Sequence, residues 1–77
     1  MTRSSPVFYD RSTDTMYVTF REGPVMHTVA HDEQDYAVDF GDDGQPMGYE
    51  IQSASQHPDV IAEALLILQR DRRAAAE

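Results

Sequence analysis

The stretch DYAVDFGDDGQPMGYEIQSAS, Asp35 to Ser55, reads as strand, acidic turn, strand and approach to a helix. Tyr36, Val38 and Phe40 alternate with Asp35, Ala37 and Asp39, and Met47, Tyr49 and Ile51 alternate with Gly48, Glu50 and Gln52. A period of two gives each strand one apolar and one polar face. Gly41-Asp42-Asp43-Gly44 joins them, and its Asp-Gly pair supplies the positive φ that a tight hairpin demands.

Working outward, Met16, Val18 and Phe20 alternate with Tyr17 and Thr19, which predicts a strand over Thr15 to Phe20. Before it, Pro6 to Tyr9 is a short apolar run, and Asp10 to Asp14 is a connection of turn formers. After it, Arg21-Glu22-Gly23-Pro24 makes a turn into a strand over Val25 to Ala30, with Val25 and Val29 expected to point inward. Beyond Ser55 the period changes to 3.6. Pro58 suits a first helical position, with His57 or a neighbouring serine as cap. Asp59 and Glu63 lie near the positive end of the helix dipole, and Arg70, Arg72 and Arg73 near the negative end. Val60, Ile61, Ala64, Leu65 and Leu68 form an apolar stripe that Ile67 extends, while Ala62 and Leu66 lie on the far side. The expected fold is α+β, a single domain over 1–77. It combines an antiparallel β-meander of four to five strands over about 6–52, a helix over 58–73 on one face and a frayed tail at 74–77.

A chain of 77 residues buries only about 60% of its unfolded surface and is marginal alone. It has no cysteine, so neither a disulfide nor a thiolate metal site supports it. Self-association is the remaining support, and the surplus apolar residues Leu66 and Ala62 are the expected dimer interface. No apolar run is long enough to span a bilayer and Met1 to Pro6 has no apolar leader core, so a cytoplasmic location is expected. There are 14 acidic side chains and 6 basic ones, a formal net charge of -8. Every basic residue is arginine, and between Arg21 and Arg70 there is none, while ten acids fall in that interval. Phosphate backbones are repelled by such a chain, which argues against nucleic acid. The acids are either a solvated face that keeps the protein soluble or a dock for a basic partner.

Asp39, Gly41, Asp43, Gly44 and Glu50 fall on the register of a helix-flanked calcium loop. The flanking periods, however, are those of strands, and Pro46 lies inside the loop. Gly44 therefore reads as a hairpin glycine and Glu50 as an exposed strand residue. His27 and His31 share a strand face about 13 Å apart, too far to hold one metal on a straight strand. His57 precedes the helix, and Ser53 and Ser55 suit a strand-to-helix handover better than nucleophilic chemistry. No glycine-rich phosphate loop is present: Gly41 and Gly44 lie between strands. No catalytic residue, metal ligand set or cofactor is expected, and the chain does not read as an enzyme.

Tyr9-Asp10, Asp14, Met16-Tyr17-Val18, Gly23-Pro24-Val25, Asp39 with Asp43-Gly44, Gly48-Tyr49-Glu50-Ile51 and Ala54-Ser55 occur in order over roughly residues 7–55. In this the chain resembles the bacterial domain of unknown function 2283 family. It departs at Met16, where leucine is usual, and at Gly41, where an acidic turn residue is common. The resemblance implies a small sheet with a following helix and no established activity. Genes of the family often neighbour those of small toxin-like proteins, so it also implies an antitoxin-like partner role.

The functional expectation is a homodimeric protein-interaction module whose outer sheet face meets a basic protein through Tyr17, Asp35, Asp39 and Glu50. All four lie opposite the apolar stripe. The alternative is a small-ligand or metal-binding domain using the acidic turn Asp39 to Asp43, with His31.

Overall fold

The structure, a computed structural model, describes residues 6–76. The first five residues, Glu77 and the side chains of residues 72–76 lie outside the described set. Five strands, β1 (Val7–Asp10), β2 (Thr15–Thr19), β3 (His27–His31), β4 (Tyr36–Phe40) and β5 (Pro46–Ile51), precede the helix α1 (Pro58–Ala76). All neighbouring strands are antiparallel, and α1 packs on the sheet over β2 and β5.

The α+β architecture is as expected, but the strand order departs from a meander: it is β1-β2-β5-β4-β3. After β2 the chain crosses to the far edge and returns through two hairpins, so that β5 pairs with β2. Burial accounts for this order. β5 carries buried Met47, Tyr49 and Ile51 and takes the centre, whereas every residue of β3 is exposed. Gly48 permits the central pairing, because a Cβ there would sit 2.6 Å from the Val18 carbonyl oxygen. The β4–β5 turn uses Gly44 at φ 78°, with nothing near the missing Cβ. Glycine is needed there for backbone conformation and not for space.

The core beneath α1 consists of Val18, Val38, Tyr49, Ile51 and Ala54 against Val60, Ala64 and Leu68, with Ile51 and Val18 fully buried. Ile61 and Ile67 flank it. Leu65 does not join the buried stripe and is 40% exposed. Positions 60, 64 and 68 recur every four residues and centre the contact, which leaves position 65 on the flank. The third strand also begins later than its β-branched residues suggest. Val25 is in the link before β3 and is 50% exposed, and Val29, on the inner face as expected, is still 41% exposed. Val29 lies across from buried Val38, but a single helix centred on β2 and β5 does not cover the edge strand.

Among the described residues no helix is long and apolar enough to cross a membrane.

Candidate functional site

The outer face, opposite α1, gathers a polar row from four strands. Tyr17 on β2 lies directly across from Glu50 on β5, and Glu50 lies across from Ala37 on β4. Asp39, two residues along β4, is thus the diagonal neighbour of Glu50, a separation within reach of long side chains. Thr28 on β3 lies across from Asp39 and donates its hydroxyl to Asp39 Oδ1 at 2.7 Å. Loss of solvent raises the Glu50 carboxyl above its ordinary value, and a hydrogen bond with Asp39 and repulsion from it add to that. Two carboxylates therefore share one small patch, and among the described residues no cationic side chain is paired with either. At the β1 end, Phe8 stacks on Tyr17 with ring centroids 6.1 Å apart and is 51% exposed. Sequence reasoning missed Phe8, although its place in the short apolar run that precedes β2 was the available signal.

The structure unites Tyr17, Asp39 and Glu50 but sets Asp35 apart. Asp35 has a left-handed backbone, φ 56°, between a short 3₁₀ turn and β4, so it leaves the strand alternation. Its carboxylate lies 3.7 Å from His57 Nε2 at the start of α1. Ala62 and Leu66 are exposed on α1, where they border a shallow groove with Leu65, Leu68 and Gln69.

Three other acids of the strand region, Asp43, Asp10 and Asp14, accept hydrogen bonds. In the β4–β5 turn, Asp43 forms a two-pronged ion pair with Arg21, at 2.9 and 3.1 Å, and accepts the Gln45 N–H. Arg21 and then Gln45 hold its carboxyl down at about 2. Asp43 is thereby occupied, and among the described residues no three His, Cys, Asp or Glu side chains are grouped to hold a metal. Asp10 accepts the backbone N–H and hydroxyl of Ser12, closing the β1–β2 turn.

Asp14 forms the largest such cluster. At φ 53° it accepts the Tyr9 hydroxyl at 2.6 Å, and from Ser55 the hydroxyl at 2.7 Å and the N–H at 3.1 Å. Its carbonyl accepts the N–H of buried Ala54 at 2.8 Å. These bonds, that of Tyr9 first, hold its carboxyl below the ordinary value. The Ser55 hydroxyl thus ties the handover segment to the β1–β2 hairpin instead of capping α1. On the inner face, rings step across the sheet from His31 to Tyr36, Tyr49 and Phe20 with centroids 4.6, 5.4 and 5.7 Å apart. The Tyr49 hydroxyl donates to Glu63 Oε2 of α1 at 2.6 Å. Burial, and then Glu63, push that phenol above its usual range.

Tyr9, Asp14, Ala54 and Ser55, which meet in this cluster, lie near the two ends of the segment that a family model matches. That model, described as "Protein of unknown function (DUF2283)", covers residues 7–55. The chain belongs to the DUF2283 family. The DUF2283 match stops as α1 is about to begin, so the cluster that fastens the start of β1 to the end of the match is internal to the family domain. No curated protein matches the chain, and no solved structure does.

Proposed function

We propose that this chain is a protein-interaction module, antitoxin-like in role, acting in the cytoplasm as a homodimer whose outer sheet face receives a cationic side chain of a basic protein. The observation that carries the reading is the Asp39–Glu50 pair. Two neighbouring carboxylates raise one another's cost of ionisation, and a guanidinium or ammonium placed between them removes that cost. Arginine fits best: its planar fork bonds carboxylates in two places, and its face stacks on an aromatic ring such as Tyr17. The net charge of -8 steers a basic partner to the chain.

The test is a pull-down of basic proteins from native-host lysate, followed by calorimetric titration of the captured partner against wild type and the Asp39→Asn, Glu50→Gln double variant. Removing both charges is expected to weaken binding at least about tenfold, as for truncation of a buried interfacial charge. It is also expected to flatten the dependence of binding on salt. Unchanged affinity in the folded double variant overturns the outer-face reading.

A further inference from the structure

We infer that β3 is the self-association edge: two copies pair antiparallel through β3, extending the five-stranded sheet into a continuous sheet across a two-fold axis. This inference rests on the homodimer reading above and assigns its surface. Edge strands are usually blunted by lysine, proline, a bulge or charge, because their free hydrogen-bonding edge recruits other strands. β3, HTVAH, has none of these, and each of its residues is exposed. The sheet's register shift lies instead between β4 and β5.

Charge selects a second copy as the occupant. In a chain of net charge -8, Val25 to His31 contains no carboxylate, and it displays Val25, Met26 and Val29 at 50%, 61% and 41% exposure. A strongly acidic protein can meet itself only where like charges are absent, and this segment meets that condition. With the two-fold axis at Val29, His27 faces the partner's His31, and Asp32 and Glu33 fall beside the partner's Met26 and the partner's Val25. No acid then faces an acid. The two Asp39 side chains would be at least three strand spacings apart, about 14 Å, beyond the screening length of about 8 Å. The two outer-face rows, each ending at Thr28 on β3, would join into one longer acidic surface.

Sedimentation and light scattering over a range of protein concentrations test this on wild type, on Val29→Glu with Met26→Glu, and on Leu66→Glu, each checked for fold by circular dichroism. Expected are a wild-type dimer, a folded β3 variant whose dissociation constant rises at least about tenfold because like charges oppose across the axis, and an unchanged Leu66→Glu dimer. A β3 variant that still dimerises, or dissociation by Leu66→Glu alone, moves the interface to the helix and overturns the inference while leaving the homodimer standing. A monomeric wild type overturns both. Should the β3 variant misfold, amide hydrogen exchange on wild type decides. Protection of alternate β3 amides that grows with concentration supports the pairing, and concentration-independent exchange overturns it.

Discussion

Asp14 and Asp39 are two aspartates of one acidic sheet, and they differ in what stands beside them. Asp14 is met by a phenol, a hydroxyl and a backbone N–H, and its carboxyl is held below the ordinary range. Asp39 has the Thr28 hydroxyl on one side and Glu50 on the other, and the result is a Glu50 carboxyl that resists ionisation. The first arrangement fastens elements together. The second keeps two acids adjacent with no cationic side chain paired to them among the described residues, and that difference separates an acid that fastens this fold from the pair to which the proposed function assigns a partner.

The sharpest way to break the comparison is at Asp14. Asp14→Ala removes every side-chain acceptor of the cluster and places a Cβ-bearing residue without local hydrogen bonds at φ 53°. It is expected to lower the denaturation midpoint more than any other single carboxylate substitution. Asp14→Gly, which keeps the backbone conformation, and Asp14→Asn, which also keeps one acceptor, should fall between it and wild type in that order. The dependence on pH follows from the lowered carboxyl: its stabilisation is present above the ordinary value of 3.8 and disappears as pH falls below it. Urea melts of the series at neutral and acidic pH measure this. Equal midpoints would mean that the cluster does not hold the hairpin to the handover segment.

The Asp39→Asn, Glu50→Gln variant should move stability the other way and by less. A raised carboxyl contributes stability at low pH, which is lost as pH rises through the folded-state value. At neutral pH wild type therefore carries a repulsion that the double variant lacks, and the variant should be more stable by less than about 1 kcal/mol, given the exposure of the pair. The gap should close as acid protonates Glu50. A variant less stable than wild type at neutral pH would show that Thr28 and Asp39 hold the sheet together more than the two acids push it apart.

How far the fold could be read from residues alone depended on the range of the interaction. Period-two alternation in β2, β4 and β5 and the change to 3.6 before α1 are local signals, and they placed Tyr17, Asp39 and Glu50 on one face. The position of β5 beside β2 rests on Gly48 and a carbonyl about thirty residues away in the chain, where nothing local announces a close approach. The Asp14 cluster joins residues 41 apart, and its residues look like ordinary turn formers. The exposure of Val25 and Val29 was not legible for a different reason. Their β-branched character predicts a strand, but whether an edge strand is covered depends on how wide a sheet one helix can shield, a property of the assembled layers.

The smallest effect belongs to Arg21. Its ion pair with Asp43 is two-pronged, but the side chains are 38% and 47% exposed, and pairs so solvated contribute little to stability and are screened by salt. Arg21→Ala should thus leave the melting midpoint nearly unchanged while the Asp43 carboxyl, held at about 2 by the guanidinium first and the Gln45 N–H second, climbs back toward 3.8. Carboxyl carbon shifts followed by NMR through an acid titration measure this directly, and high salt should shift wild type in the same direction. If Asp43 stays near 2 in the variant, the backbone donor of the turn is sufficient alone. The line between Asp43 and Asp39 would then be drawn by a backbone N–H rather than by the presence of a cation, and the search for what relieves Glu50 would widen from basic side chains to any donor that a partner presents.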